Sequence, residues 1–461
     1  MCRKNSKRTV VTASRWIAYQ TLADWRAGRG FLEDLLADHW KTADLKREDL
    51  ALSQTIVYGV FRNLRRLDFW IDRLARKGIG SLPDPVVDCL RMALFQTAHL
   101  DRVPDHAAVS ETLRLCESVG LRGMKPVVNG MLRAFPGKRG ELDKEIAASP
   151  DRLAVVTSHP DWLVEWAIGK WGNRKGEVWL TQNNVEPSIC LRPNAARLLN
   201  PEEAERGGDR DRTAAALLVE RSGMGELVGE GTAVRIPPSG DPTQLDALRE
   251  GLANVQDLSA QQAVRLLDPK PGEKIFDLCA APGGKAVQIA DRTLDRAEVY
   301  AVDVNQARLA RVEENLKRCG FVSVKTVRRD LSEPWEDPPA LADAVLLDAP
   351  CSGLGTLRRR VDLRYRIRPA DIQELAAKAG QLLENASRLA RPGGRLVYST
   401  CTLTREENSD VIEGFLNKNI EEWELSERCV YPGWLEEGPG DAPDPIPDCD
   451  GAFMALLLRR R

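Results

Sequence analysis

The chain has no pair of cysteines spaced Cys-x-x-Cys, although ten cysteines occur in 461 residues, and only four histidines are present. Zinc-type sites need several thiolate or imidazole ligands at short spacings, so we expect no metal site. No apolar run reaches the ~20 residues of a membrane span, and residues 1–8 are basic without the apolar stretch of a secretory signal. We therefore expect no membrane association, a cytoplasmic location and reduced thiols.

The formal net charge of −2 gives no global attraction to a polyanion. Two local clusters of basic residues nevertheless stand out. The first contains Arg62, Arg65, Arg66, Arg73, Arg76 and Lys77, and the second contains Arg358, Arg359, Arg360, Arg364, Arg366 and Arg368. Local basic surfaces can bind phosphate, whereas a solvated helix face is the alternative for the first cluster. The second cluster lies just beyond Cys351, which favours a functional interpretation.

Residues 8–140 are predicted to form an all-helical domain. Apolar residues recur at helical spacing, as in Leu64, Leu67 and Ile71. Turn-forming residues divide the pattern into helices of ordinary length. The predicted breaks are Gly28–Gly30, Gly78–Pro85 and Gly120–Gly123, and Gly137–Gly140 is predicted to start a linker.

Residues 150–250 mix helical and extended patterns, and we expect a small α+β connector domain there. Trp162–Trp171 is helix-like and Ser188–Arg192 is strand-like. The rest of this region is polar and shows no clear helical or extended pattern. The sequence does not indicate an oligomeric state.

Residues 251–461 alternate strands with helices, a pattern typical of a doubly wound, Rossmann-like α/β sheet. A capping box of Ser259 and Gln262 is predicted to start the first helix. The predicted strands are Lys274–Leu278, Glu298–Val302, Val324–Arg328, Ala344–Leu347 and Arg395–Thr400. The acidic, proline-rich stretch Gly438–Asp450 is interpreted as a surface insertion.

The turn after the first of these strands is predicted to bind a nucleotide-like cofactor. Its candidate residues are Cys279, Ala280, Ala281, Pro282, Gly283, Gly284 and Lys285. Adjacent glycines at a strand-to-helix bend allow a ligand to approach the backbone closely. The spacing of the glycines matches neither G-x-G-x-x-G nor a P-loop, which disfavours both a dinucleotide enzyme and a nucleotide triphosphatase.

Acidic residues end or follow the next two strands. Asp303 lies 26 positions after Asp277 (303 minus 277), which suits a carboxylate that accepts hydrogen bonds from ribose hydroxyls. Asp330 follows the third strand, where it could contact the adenine edge or nearby amides. The alternative is that both aspartates cap the helices that follow them.

Cys351 and Cys401 each follow a strand-like run, in Asp348-Ala-Pro-Cys and Ser399-Thr-Cys. Ligands of an open α/β sheet bind outside the carboxyl ends of its strands, so both thiols are expected at one rim beside the cofactor. A free cysteine is usually a buried packing residue, and this remains the alternative for any one of them. Two thiols beside a cofactor suggest covalent chemistry, whereas Cys279 is expected to line the turn.

The stretches Asp277–Lys285, Asp348–Gly353 and Ser399–Thr402 resemble three signature motifs of the NOL1/NOP2/Sun family of RNA cytosine-5 methyltransferases. Glu406-Glu-Asn408 and Cys449-Asp-Gly451 also resemble family elements. The resemblance implies S-adenosylmethionine as cofactor and Cys401 as the nucleophile that attacks C6 of cytosine. It further implies that Cys351 removes the C5 proton or assists release, and that Asp348 holds the base edge or the cofactor.

The N-terminal helices are similar to the antitermination protein NusB, notably at Tyr58–Arg62 and Val128–Arg133. Within the family, this domain pairing implies RNA binding and methylation of one cytosine of 16S ribosomal RNA. An oligomerisation or protein-docking module is the alternative for the helical domain. A transfer RNA or another ribosomal RNA is the alternative substrate. A non-catalytic ribosome-assembly factor with the same fold is the alternative class, and the presence of Cys401 argues against it.

Overall fold

The structure is a computed structural model that describes residues 11–42, 45–205, 210–237 and 245–461. The described residues form two compact units. The first runs to Val185 and also contains Arg360–Arg366, and the second contains Glu186–Arg359 and Ile367–Arg461. The expected start of the helical domain at residue 8 lies outside the described residues, and the limits of the three expected domains remain a prediction.

The first unit is helical throughout its core. Its helices are α1 (Ala13–Arg26), α2 (Leu32–Lys41), α3 (Arg47–Arg62), α4 (Leu64–Leu74), α5 (Asp84–His99), α6 (Asp105–Ser118), α7 (Lys125–Ala148), α8 (Arg152–Thr157) and α9 (Asp161–Gln182). Leu67, Trp70 and Ile71 lie three and four residues apart on α4, so they share the face that is fully buried in the core. In the described ranges, no helix is long and apolar enough to cross a membrane.

The predicted linker at Gly137–Gly140 is wrong, because α7 continues through it to Ala148. Phe135, Leu142 and Ile146 lie on one face of this helix and are buried in the core of the first unit. Their burial outweighs the weak helix propensity of the two glycines, which costs about 1 kcal/mol each relative to alanine. Tertiary packing therefore overrides the local turn signal.

A four-stranded antiparallel sheet, in the order β2-β3-β1-β4, lies in the second unit. Its strands are β1 (Ile189–Pro193), β2 (Glu226–Val228), β3 (Ala233–Ile236) and β4 (Ala253–Val255), with helices α10 (Ala195–Leu198), α11 (Pro201–Glu205), α12 (Arg210–Ser222) and α13 (Asp246–Arg249). Leu191, Val234 and Ala253 are buried with apolar residues of α12. The expected α+β character of this region is confirmed.

The larger sheet of the second unit has seven strands in the order β10-β11-β9-β8-β5-β6-β7. Its strands are β5 (Lys274–Leu278), β6 (Glu298–Asp303), β7 (Val324–Arg328), β8 (Ala342–Asp348), β9 (Ala390–Thr400), β10 (Trp423–Tyr431) and β11 (Ala452–Arg459). The five predicted strands are parallel, and β10 and β11 extend the sheet in antiparallel pairing.

Helices cover both faces of this sheet. They are α14 (Leu258–Leu267), α15 (Gly284–Arg292), α16 (Gln306–Cys319), α18 (Pro369–Ser387) and α19 (Ser409–Asn419), while α17 (Leu363–Arg366) belongs to the first unit. Alternate strand residues point to opposite faces, so Val345 packs with α18 whereas Ala344 packs with α14. The predicted Rossmann-like fold is confirmed.

The start of α14 differs from the predicted capping box. The side chain of Asp257 accepts a hydrogen bond of 2.9 Å from the backbone N–H of Ser259 and caps the helix at Leu258. Aspartate and serine are both favourable N-caps, so sequence alone did not choose between neighbouring candidates.

The strand order reverses beside β5, which lies between β8 and β6. In sheets of this kind, ligands bind outside the carboxyl ends of the strands at such a reversal. The predicted cofactor turn follows β5, and the two cysteine motifs follow β8 and β9. The fold therefore places all three motifs at one edge.

Candidate active site

The turn after β5 is shaped by its backbone and by Gly283. The N–H of Ala280 donates to Val302 O on β6 at 3.0 Å, and the N–H of Gly283 donates to Ala280 O at 2.8 Å. Gly283 has a φ of +103°, and a Cβ there would lie 3.0 Å from Cα of Val312. Positive φ and close contact with backbone both require glycine at this position.

Gly284 differs from its neighbour because it starts α15 and a Cβ built on it would meet nothing within 4 Å. Open space therefore lies beside the first turn of a helix, where backbone N–H groups have no partner within the helix. Such a helix start favours anionic or polar ligand groups. This geometry fits a cofactor held against residues 279–285.

Asp303 ends β6 and is only 3% exposed. Its carboxylate accepts hydrogen bonds from the N–H groups of Ala281 (3.3 Å) and Asn305 (3.0 Å). It does not cap α16, because Asn305 accepts the hydrogen bonds at that helix start. Asp303 thus joins the cofactor turn to the end of β6, and contact with a ribose remains a prediction.

Asp330 lies in the exposed segment after β7. Its Oδ1 accepts a 2.9 Å hydrogen bond from the N–H of Ser332, and this bond lowers the pKa of the carboxyl group. The expected alternative of a helix cap does not apply, because the chain continues there as a turn. A contact with adenine remains a prediction.

Lys285 and Asp348 form an ion pair between the cofactor turn and the end of β8, with Nζ and Oδ2 2.7 Å apart. Burial is the largest single effect on Lys285 and lowers its pKa, but the charge and hydrogen bond of Asp348, together with Asp277 and Cys401, outweigh burial and raise the pKa of the lysine. Lys285 is therefore a fixed positive charge close to Cys401. Such a charge favours the reactive thiolate form of a cysteine.

Asp277, which the sequence did not single out as a site residue, is a fully buried carboxyl group beneath the turn. Within the described residues, neither of its carboxyl oxygens has a hydrogen-bond partner. Burial raises the pKa of Asp277 to about 8, although the charge of Lys285 acts in the opposite direction. The motif places Asp277 near the end of β5, but only its burial in the structure reveals its raised pKa.

The two cysteines of the rim are in contact, with Sγ of Cys351 3.4 Å from Sγ of Cys401. The pairing of β8 with β9 sets Asp348 opposite Ser399, so the two chains leave the sheet side by side. Both cysteines are half-buried. The structure thus brings together the two thiols that sequence reasoning selected from ten.

The electrostatic surroundings distinguish these thiols. The hydrogen bond with Cys401, followed by burial, raises the pKa of Cys351 well above its usual range. Cys351 therefore keeps its proton and can donate its S–H to the sulfur of Cys401. Burial raises the pKa of Cys279 to about 12, which agrees with its expected role in lining the turn.

Two arginines of the second basic cluster are paired with carboxylates and are not free to bind phosphate. Arg358 is 2% exposed and donates to Asp450 at 2.9 Å and to Asp448, while Arg359 donates to Asp257 and Asp450 at 2.7 Å. These carboxylates neutralise the two guanidinium groups inside the second unit. Asp448 and Asp450 pair with these arginines inside the second unit. The interpretation of 438–450 as a surface insertion is therefore wrong for residues 448–450.

Arg364 and Arg366 of that cluster are structural residues of the first unit. Arg364 is fully buried and donates to Asn184 Oδ1 at 2.7 Å and to Asn183 O at 3.0 Å. Arg366 lies over the ring of Trp25 at 5.0 Å. Segments far apart in the sequence supply these partners, so a local run of arginines was misleading.

The first basic cluster fits the solvated-face alternative. Arg65, Arg66 and Arg73 form ion pairs of 2.6–3.0 Å. Their partners are Asp161, Asp143 and Glu145. These pairs leave less free positive charge for RNA than the sequence suggests.

Comparisons with known proteins agree with this geometry. Residues 264–458 match the family model described as 16S rRNA methyltransferase RsmB/F, and residues 12–136 match the NusB family. A probable ribosomal RNA small subunit methyltransferase B from Synechocystis is 36% identical over 89% of this chain and 90% of its own length. The Bacillus subtilis relative of the same name is 31% identical over 88% and 89%.

The chain belongs to the ribosomal RNA small subunit methyltransferase B family. This membership confirms the resemblance inferred from the motifs, including the NusB-like helical part. It also confirms a methyltransferase with S-adenosylmethionine as cofactor. The open space at Gly284, beside the start of α15, fits such a ligand.

Solved structures show the same fold. The crystal structure of PH0851 has a TM-score of 0.72 and 25% sequence identity, covering 98% of this chain and all of that one. NSun6 from Pyrococcus horikoshii, solved with SFG, has a TM-score of 0.50 at 21% identity and covers 66% of this chain and 98% of that one. The second likeness concerns the fold alone.

Proposed function

We propose that this family member methylates C5 of a cytosine in RNA, with one cytosine of 16S ribosomal RNA as its target. The observation that carries the proposal is the 3.4 Å contact between Cys351 and Cys401 beside the glycine-rich turn. Packing explains one half-buried cysteine. It does not explain two thiols in contact after neighbouring strands, one of which, Cys401, interacts with the ammonium group of Lys285.

C5 of cytosine is a weak nucleophile until another group adds across the C5–C6 bond. The thiolate of Cys401 adds to C6, forming an S–C6 bond, and the displaced electron pair makes C5 nucleophilic. S-adenosylmethionine, when bound, supplies an electrophilic methyl group. After C5 has been methylated, its proton leaves to a base, the double bond re-forms, and the S–C6 bond breaks to return the Cys401 thiolate.

Release of the product is assigned to Cys351, which takes the C5 proton or assists the elimination. Its raised pKa keeps it protonated in the free site, so it gives this proton to solvent before it takes the C5 proton. Lys285 stabilises the thiolate of Cys401, and its partner Asp348 holds the base edge or the cofactor at the rim.

The substrate part of the proposal rests on the relatives, which are named as methyltransferases of small-subunit ribosomal RNA. A cytosine inside a helix cannot reach two thiols at a strand edge. The target base must be unpaired or leave its stack. The expected cytoplasmic location belongs to this proposal, because the substrate is ribosomal RNA.

The proposal is tested by incubating the protein with unmodified 16S ribosomal RNA and cofactor carrying a tritiated methyl group. Cys401→Ala should reduce label transfer to background, because the thiol that is proposed to add to C6 is lost. Cys351→Ala should accumulate a covalent protein–RNA adduct on a denaturing gel, because release is impaired. Cys429→Ala, on β10, is the matched control and should behave as the wild type.

Bisulfite sequencing then locates the modified cytosine. Unmodified transfer RNA is incubated in parallel, and label in transfer RNA alone would reject the 16S target but keep the reaction. Binding of RNA without any label transfer by the wild-type protein would favour the assembly-factor alternative. Full label transfer by Cys401→Ala would refute the covalent mechanism.

A further inference from the structure

Glu407 is a fully buried carboxylate that the proposed reaction steps do not use. Burying a carboxylate is costly unless hydrogen bonds satisfy its oxygens. Three donors do so: the N–H of Ser352 at 2.7 Å, the hydroxyl of Ser352 at 2.6 Å and the hydroxyl of Thr404 at 2.7 Å. Such charge-assisted bonds are short and strong. The carboxylate therefore fixes the loop after β8 to the loop after β9.

Ser352 and a second hydroxyl residue, Thr402, each lie next to one of the two cysteines in the sequence. Ser352 follows Cys351, and Thr402 follows Cys401. The hydroxyl oxygens of Ser352 and Thr402 are 2.7 Å apart. Because the single hydroxyl proton of Ser352 is used on Glu407, Thr402 must be the donor between them. A continuous chain of hydrogen bonds thus runs from Thr402 through Ser352 to Glu407.

The backbone around Glu407 is also anchored. The hydroxyl of Tyr398, on β9, donates to Glu407 O at 2.6 Å. The side chain of Asn408 donates to Thr402 O at 3.1 Å and accepts from the hydroxyl of Thr400 at 2.6 Å. These bonds close the loop that carries Cys401 at both ends. The backbone of Glu407 is therefore fixed, so its carboxylate can hold other groups in place.

We propose that Glu407 is a positioning residue: its carboxylate holds the two cysteine loops together and keeps the thiols of Cys351 and Cys401 in contact. The inference deepens the proposed function and rests on it for the roles of the two thiols. Catalysis that depends on near-attack geometry is sensitive to shifts of about 1 Å, which can cost roughly 100-fold in rate. Loss of the carboxylate should therefore lower kcat and leave the KM values for RNA and cofactor nearly unchanged.

The geometric part is tested without RNA or cofactor, by diamide oxidation of the thiol pair. Two thiols lose two electrons and two protons to diamide, which becomes the corresponding hydrazine, and a Cys351–Cys401 disulfide forms. Mass spectrometry of the peptides gives the rate. Glu407→Ala should slow this crosslinking at least about tenfold and lower kcat about 10- to 100-fold. Glu407→Gln, which keeps one acceptor oxygen, should be intermediate in both measurements.

Glu413→Gln is the control, because Glu413 is an exposed carboxylate on α19 and should change neither rate. Ser352→Ala keeps the backbone bond to Glu407 but breaks the hydroxyl chain, so a several-fold loss is expected. If Glu407→Ala does not fold by circular dichroism, Glu407→Gln and Ser352→Ala decide the question.

Wild-type crosslinking rates in both of those variants would overturn the inference, as would a loss of kcat without slower crosslinking. Failure of the proposed function has a different signature. The wild type would then methylate no RNA cytosine, while crosslinking would still depend on Glu407.

Discussion

Gly283 and Gly284 should respond in opposite ways to replacement by alanine, although they are neighbours in the cofactor turn. At Gly283 the positive φ costs an alanine about 1–2 kcal/mol. A Cβ 3.0 Å from Cα of Val312 adds about 1–3 kcal/mol of overpacking, because that backbone atom cannot move away easily. Gly283→Ala should therefore lower the free energy of unfolding by about 2–5 kcal/mol.

Gly284→Ala should leave stability unchanged or raise it by up to about 1 kcal/mol, because the residue starts α15 and the new Cβ meets no protein atom. The same methyl group would occupy the open space assigned to the cofactor. If the clash costs about 1–3 kcal/mol, the Kd for S-adenosylmethionine rises roughly 5- to 140-fold. Stability and affinity thus separate at this position.

Urea unfolding measures the first effect, and isothermal titration with S-adenosylmethionine measures the second. Gly137→Ala is the control, because Gly137 is exposed within α7 and a Cβ there also meets nothing within 4 Å. It should gain up to about 1 kcal/mol of stability and keep wild-type affinity. Wild-type affinity of Gly284→Ala would refute the cofactor assignment, and wild-type stability of Gly283→Ala would refute the steric reasoning.

Two further predictions concern buried charges. Arg364→Met should destabilise the first unit by about 2–4 kcal/mol in chemical denaturation, because buried acceptors including Asn183 O and Asn184 Oδ1 lose a charged donor. The exposed control Arg368→Met should have little effect. Equal stabilities of the two variants would contradict this prediction. Asp277 has a folded-state pKa of about 8, above the ~3.9 of an unfolded aspartate, so it should lower the free energy of unfolding as pH rises between these values. Asp277→Asn should flatten this pH dependence, measured by urea unfolding from pH 4 to 8. An unchanged slope of unfolding free energy against pH would contradict the burial argument.

The strands that carry the site could be predicted because their signals are local. Short apolar runs end directly before Asp303 and Asp348 and shortly before Cys401, and all parallel strands present their carboxyl ends to the same edge. The motif order along the chain therefore implied that the thiols meet, and they do at 3.4 Å. The antiparallel strands β10 and β11 were not predicted, because the regular alternation of helix and strand stops before them.

Other features depend on partners that lie far away in the sequence. Arg358 looked available for phosphate because its carboxylate partner Asp450 comes 92 residues later. Glu407 was recognised only as part of a motif, since its proposed positioning role depends on a hydrogen bond from Ser352, 55 residues earlier. A local pattern cannot reveal how a buried charge is satisfied, because this is decided by the packing of separate segments.

The closing motif Cys449-Asp-Gly451 shows how a distant segment can shape the site without contributing a reactive group. The N–H of Gly451 donates to Gly355 O at 2.8 Å, and the N–H of Gly355 donates to Cys401 O at 2.9 Å. A Cβ on Gly355 would lie 2.1 Å from Gly451 O, so only glycine allows these backbones to cross. Asp450, held by Arg358 and Arg359, fixes the position of Gly451. Arg358 and Arg359 therefore act through Asp450 and Gly451 on the backbone of Cys401, the proposed nucleophile.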